Sequence, residues 1–239
     1  MDSLMSSAAS GLRSRMEALE LVANNLANAS TAGYKSDRES YGLYAAPESD
    51  GFTALPVIES RWTDFGQGTI TPTGNAYDLA LGGPGFFAVN GPNGPLYTRN
   101  GSFKVSAGAL TTAEGYAIRD ANNNGQPIPL DGSRPFEVAA DGTVTQDGLA
   151  AGRIEVVRFA SPQALGKMGH NYFSSAQTPV AVAAPDVRQG RLEASNSGGA
   201  ESAVRMVGIL RQFEMLQKAV ALGSEMNRRA VEEVARVNS

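Results

Sequence analysis

The chain has 239 residues, 42% of them hydrophobic, enough to bury a core of its own in one or two domains. Its formal net charge is -4, from 20 basic and 24 acidic residues with no basic block, which argues against a nucleic-acid footprint. Cysteine is absent, which excludes a disulfide framework, a thiol nucleophile and a thiolate metal site.

The first residues, Met1 to Leu12, lack the basic start and apolar run of a secretory signal. No stretch approaches the ~20 apolar residues of a membrane span. Met5, Ala9, Leu12, Met16, Leu19, Ala23 and Leu26 recur at alternating spacings of four and three. That is a heptad seam and predicts a helix over residues 3–30. The stop follows at once. Asn24, Asn25, Asn28, Ser30 and Thr31 offer side chains that compete with backbone hydrogen bonds, and Gly33 can take the left-handed conformation that ends a helix.

The stretch Ala23 to Lys35 resembles the N-terminal signature of the flagellar rod and hook proteins. Asn24, Asn25, Leu26, Ala27, Asn28, Thr31, Gly33, Tyr34 and Lys35 match it. The resemblance continues through Thr73-Gly74-Asn75, Asp78-Leu79-Ala80, Gly85-Phe86-Phe87 and Tyr97-Thr98-Arg99-Asn100-Gly101. Near the other end, Leu192, Glu193, Ser195 and Asn196 match the family's C-terminal motif, with Arg211, Phe213, Glu214 and Lys218 after it. Ser197-Gly198-Gly199-Ala200 departs from the pattern and predicts a looser start to the last helix. Within the family, the short segment 36–62 and Arg211-Gln212-Phe213-Glu214-Met215 resemble the proximal rod members most, with the distal rod members as alternative.

Residues 36–62 show no sustained period and contain Pro47, Gly51 and Pro56, which predicts an irregular connector with a short strand at 55–58. From Gly66 to about Tyr172 the pattern changes to short β-branched and aromatic runs, such as 85–89, 96–99, 102–105, 115–118, 136–138 and 154–159. Asn-Gly or Asp-Gly pairs at 90–91, 93–94, 100–101, 124–125, 131–132, 141–142 and 147–148 punctuate them and suit tight hairpins. A second connector follows. The helical period then returns from Glu201 to Val237. Met206, Phe213, Val220, Asn227 and Val234 hold one seam position, and Ile209, Leu216, Gly223, Ala230 and Val237 the other. A second apolar row, Val204, Val207, Leu210, Leu222 and Met226, widens the face beyond one partner.

The expected fold class is α+β: a mainly antiparallel β domain flanked by terminal helices that pack as a coiled-coil-like layer. The expected divisions are 1–35 helix and signature, 36–65 connector, 66–172 β domain, 173–200 connector and 201–239 helix. The expected assembly face is Met5, Leu12, Met16, Leu19, Leu26, Met206, Ile209, Phe213, Leu216 and Val220.

Little in the chain points to chemistry. His170 is the single histidine, so no zinc pair exists. Asp120 to Gly125 with Asp131 at the twelfth position fits the opening of a calcium loop, but β runs flank it and the twelfth residue is not Glu, so a long hairpin turn is the better reading. Gly82-Gly83-Pro84-Gly85 precedes a strand, where a phosphate cradle needs a helix. Asp64, Asp78 and Glu137 are scattered and form no acid/base pair. A glycan-binding or enzymatic β domain on an oligomerising stem would need ionisable or aromatic residues clustered in one pocket, and the sequence shows no such cluster.

The resemblance implies a structural subunit of the bacterial flagellar basal-body rod, required for flagellum assembly and motility. It implies partners among other rod subunits, export by the flagellar type III apparatus without a cleaved signal, and a place in the periplasm-spanning rod. It implies no enzymatic activity, no cofactor, no metal, no nucleic acid and no membrane insertion. The terminal helices would form the inner layer of the rod, with the β domain outside.

Overall fold

The computed structural model describes residues 2–45 and 54–237, and the side chains in that range except at 2–7, 43–45, 54–56, 230, 231, 233–235 and 237. The chain divides into a helical unit, residues 1–27, 37–63 and 198–239, and a β-rich unit, residues 28–36 and 64–197.

The helical unit holds α1 (Asp2–Ala27), β1 (Asp37–Ala45), β2 (Ala54–Thr63) and α2 (Gly199–Val237). Helix α1 ends three residues earlier than the predicted 30, because Asn28, Ala29 and Ser30 turn. The hydrogen bond from the Thr31 amide to the Asn28 carbonyl closes that turn. Strands β1 and β2 pair antiparallel from Asp37↔Thr63 to Ala45↔Ala54, with a bulge between Ser40 and Tyr41. This corrects the expectation of an irregular connector over 36–65. Pro47 and Gly51 fall between the strands, outside the described residues. Pro56 lies inside β2, in a two-stranded ribbon where a missing amide costs little. Arg205 of α2 and the Tyr41 hydroxyl both bond the Glu39 carboxylate of β1, and Arg61 of β2 pairs with Glu17 of α1 at 2.6 Å.

The β-rich unit holds fifteen short strands: β3 (Ile70–Pro72), β4 (Leu79–Leu81), β5 (Phe86–Gly91), β6 (Gly94–Thr98), β7 (Lys104–Ser106), β8 (Ala109–Thr111), β9 (Phe136–Val138), β10 (Thr143–Gln146), β11 (Leu149–Arg153), β12 (Val156–Arg158), β13 (Gly166–Lys167), β14 (Tyr172–Ser174), β15 (Val180–Ala181), β16 (Val187–Gln189) and β17 (Arg191–Glu193). Every pair is antiparallel, and the largest sheet runs β13-β14-β6-β5-β12-β15. Strand β5 is covered on both faces. Phe87 and Val89 enter one apolar cluster with Leu79, Leu110 and Ile118, while Phe86 and Ala88 enter another with Tyr97, Phe159 and Phe173. A run apolar at every position is what such a strand requires.

Turn chemistry follows the asparagine and aspartate signals in places. Asp147 (φ 53) and Gly148 (φ 77) join β10 to β11 with both central residues left-handed, as a type I′ turn needs. The β7–β8 turn does the same with Ala107 (φ 50) and Gly108 (φ 74), a turn that no Asn or Asp announces. Of residues 115–118, only Ala117 and Ile118 pair, as isolated bridges rather than a strand. The second connector also needs correction: β16 pairs with β4 and β17 with β3, so residues 187–193 complete the β-rich unit.

Candidate functional site

The two signature segments meet. In the helical unit, buried Asn25 makes a two-point bond with the backbone of Asp37. Its Nδ2 donates to the Asp37 carbonyl at 2.7 Å and its Oδ1 accepts from the Asp37 amide at 2.9 Å. The other signature residues of the β-rich unit follow. Thr31 donates its hydroxyl to Asn28 Oδ1 at 3.2 Å, shaping the exit from the helix. Gly33 is left-handed (φ 67), and its amide donates to the Glu193 carbonyl at 2.7 Å. A Cβ there would stand 2.3 Å from the Arg99 carbonyl carbon and the Asn100 nitrogen, so glycine is required for contact as well as conformation.

Lys35 and Glu193 form the centre of this clasp. Their side chains are fully buried, with Lys35 Nζ 2.5 Å from Glu193 Oε1. Nζ also donates to the Gly66 carbonyl at 2.8 Å. Glu193 Oε1 accepts from the Gly68 amide at 2.9 Å, and its Oε2 accepts from Arg99 Nη1 at 3.2 Å. Burial pulls the Lys35 ammonium below the ordinary lysine value, against the opposing pull of Glu193, and burial likewise lowers Arg99. A buried triad of this kind fixes geometry more than it adds stability, because desolvation offsets much of the attraction.

The remaining signature residues surround the triad. Asn196 Oδ1 accepts from the Ser36 amide at 2.8 Å, and its Nδ2 donates to the Asp64 carbonyl at 2.7 Å. Ser195 Oγ accepts from the Ser197 amide at 3.0 Å, and Leu192 pairs with Thr71 across β17 and β3. Lys167 donates to the Lys35 carbonyl at 2.8 Å and lies 4.9 Å from the Tyr34 ring centre. Asn24 is exposed. Arg99, Gly66, Gly68 and Lys167 are members of the clasp that sequence reasoning misses. Only Arg99 carries a signal, as part of a motif run whose role no spacing reveals.

The seam residues divide unequally. Leu12, Leu19 and Leu26 are half-buried on α1, but Ala9, Ala23 and Met16 (53% exposed) face out. The Met5 side chain lies outside the described residues. The buried face of α1 is the neighbouring row of Ala8, Gly11, Ser14, Ala18, Val22 and Asn25. Ala18 and Val22 meet Ile209 of α2, with Leu19 and Met206 against them. On α2, Met206, Phe213, Leu216 and Val220 are half-buried and Ile209 buried. Val204 (75%), Leu222 (66%) and Met226 (67%) are exposed.

Elsewhere the fold makes a cluster that the sequence does not show. Glu114, Tyr116, His170 and Tyr172 line a cavity of about 320 Å³. The Tyr172 hydroxyl donates to Glu114, and the Tyr116 ring stands edge-on to Tyr172 at 5.3 Å. Burial and this bond push the Tyr172 phenol far up. Burial also pushes Glu114 up, but the bond from Tyr172 and its neighbours outweighs it, and Glu114 lies below the usual carboxylate range. Near pH 7 one stays neutral and the other ionised, so neither is poised for acid/base exchange.

The Asp120–Asp131 loop gathers no cage. Asp120 Oδ1 accepts from the amides of Asn122 and Arg153, while Asp131 Oδ1 accepts from Ser133. Among the described residues, no group of three or more acidic or histidine side chains could hold a metal. The melting temperature should be the same in millimolar calcium and in chelator. An upward shift that Asp120→Ala abolishes would show a calcium site, by the ordinary linkage of ligand to folding.

Comparison with known proteins completes the assignment. The family described as "Flagella basal body rod protein" matches residues 5–35. "Flagellar hook protein FlgE/F/G D1 domain" matches 80–146, and "Flagellar basal body rod FlgEFG protein C-terminal" matches 188–233. The chain is 33% identical over 229 residues to the flagellar basal-body rod protein FlgF of Caulobacter vibrioides, covering 92% of this chain and 93% of that protein. It is 29% identical over 250 residues to the rod protein FlgG of Bacillus subtilis, covering 91% of this chain and 93% of that protein. It is 30% identical to FlgG of Agrobacterium fabrum over 254 residues, 92% of this chain and 94% of that protein. With both signature segments locked in one clasp and relatives aligned along most of its length, the chain belongs to the flagellar basal-body rod protein family.

Proposed function

We propose that the chain is an axial structural subunit of the basal-body rod that polymerises through the faces of α1 and α2, in support of flagellum assembly and motility. The carrying observation is that α2 is apolar on two opposite sides. Ile209, Phe213, Leu216 and Val220 turn inward, and Val204, Met215, Leu222 and Met226 stand exposed. A helix with two apolar sides gains its second partner from another chain. The open seam of α1, with small Ala9 and Ala23 beside Met16, offers a close-packing surface of the same kind. Its partners are further copies and neighbouring rod proteins, and it reaches them as cargo of the flagellar type III apparatus. The resemblance to FlgF supports a proximal position.

Leu222→Asp tests this. The residue is exposed in one copy, so the isolated chain should keep its stability within about 0.5 kcal/mol. Rod assembly and swimming should be lost. A motile Leu222→Asp strain with normal basal bodies would remove the assembly argument. Phe213→Ala differs: Phe213 is half-buried in a single copy, so the isolated chain should lose less than the ~3–5 kcal/mol of a fully buried ring, and assembly should suffer further.

A further inference from the structure

A second cavity, of about 560 Å³, opens in the β-rich unit beside β5 and the end of β12. Its walls are the rings of Phe65, Phe86 and Phe159, with Pro84 and Pro162 at the edges. Phe65 meets Phe86 edge-on at 5.5 Å, and Phe86 meets Phe159 at 5.9 Å. Two guanidinium groups, Arg99 and Arg158, also line it. Arg99 is only 5% exposed and lies 5.5 Å from the Phe86 ring centre. Its Nη1 and Nη2 are bonded to Glu193 and the Gly83 carbonyl, but its buried Nε has no acceptor among the described residues. Arg158 is exposed and forms no ion pair among them.

The charges do not cancel at this cleft. Lys35 and Arg99 share one buried carboxylate, Glu193. Asp64 is the next carboxylate acting on Lys35, and Arg158 is left over. A wall of phenylalanine beside surplus guanidinium charge fits an extended peptide that carries a carboxylate close to an aromatic side chain.

We propose that this cleft receives the Pro47-Glu48-Ser49-Asp50-Gly51-Phe52 segment of a second copy of the chain. That segment has two carboxylates and one aromatic ring, and no cation. It joins β1 to β2, strands of 9 and 10 residues, about 31 and 34 Å long at ~3.4 Å per residue. Phe52 would lie among the three phenylalanines, with Asp50 or Glu48 on Arg158. Each copy offers one segment and presents one cleft. Used head-to-tail, as the polymer reading requires, the contact is heterologous and propagates along a filament. It rests on the polymer reading above for a neighbouring copy to be at hand.

The native chain has no cysteine, so two single variants test the contact directly. Full-length Ser49→Cys and Ala160→Cys are mixed under assembly conditions and treated with a short bis-maleimide. The expected product is a mixed dimer. A link formed only within a single chain carrying both substitutions, or no link in assembled polymer, overturns the proposal. In parallel, a fluorescent peptide spanning residues 45–54 is titrated onto the full chain. Arg158→Glu in the chain, or Phe52→Ala in the peptide, should weaken binding at least tenfold. Arg158 is exposed, and the melting temperature of Arg158→Glu should match the parent. Binding that ignores both changes overturns the proposal. The peptide arm needs no polymer. A chain that binds the peptide but never assembles fails the rod reading alone, whereas one that assembles with neither link nor peptide binding fails the cleft alone.

Discussion

Glu193→Gln should cost the β-rich unit about 3–5 kcal/mol. The substitution keeps the shape of the side chain and removes the charge that Lys35 and Arg99 share. Both cations are then buried without an anion, and the Gly68 amide loses a charged acceptor. Lys35→Met should cost less, because the Arg99–Glu193 pair survives it. Amide exchange at Gly33, Gly68 and Ala194 on the full chain measures the difference, since these amides are bonded at or beside the triad. Equal protection in Glu193→Gln and the parent would show that the triad does not hold the unit together.

Gly33→Ala should be as damaging by a different route. A left-handed alanine costs about 1–2 kcal/mol. Here the new Cβ also falls 2.3 Å from backbone atoms of Arg99 and Asn100, which have no flexible end to move. The signature segment must shift, and the bond from the Gly33 amide to the Glu193 carbonyl goes with it. We expect a total loss above about 4 kcal/mol, in the range that marks a structural clash. Gly74→Ala is the control. It has φ 73 and nothing within 4 Å, so it should show the backbone cost alone. If the two variants melt together, the clash at Gly33 is not real.

The long elements were legible because their signals are long. The seams of α1 and α2 repeat over many turns, and an α+β chain with an antiparallel centre follows from that period and the turn pairs. Strands of three residues, such as β16 and β17, give too few positions for alternation to register. They become strands because β3 and β4 offer partners far away in sequence. The β1–β2 ribbon reads as a connector because Pro47, Gly51 and Pro56 resemble punctuation of a loop, yet Pro56 lies inside β2, and long-range pairing of β1 with β2 overrides that local signal. The face of α1 that packs within the chain is the row beside the visible seam, for a physical reason. Large residues make the visible period, yet Ala18, Val22 and Gly11 allow the closer approach within the chain. The signature residues were legible as a resemblance, but no spacing predicts that Lys35 and Glu193 would meet. Burial of an ion pair is a property of the finished fold.

The distance along the chain between those two residues has a consequence in time. Lys35 and Glu193 are 158 positions apart, and almost the whole β-rich unit lies between them. A chain synthesised from its N-terminus presents Lys35 and Arg99 long before their counter-charge arrives. Contacts of such long range form late and slowly, because the chain entropy of closing the loop is lost before the contact can repay it. Until residue 193 is made, the partial chain has two cations to keep in water and no buried anion to close on. Closure of the clasp therefore signals completeness: only a chain synthesised almost to its last helix can lock the unit shut.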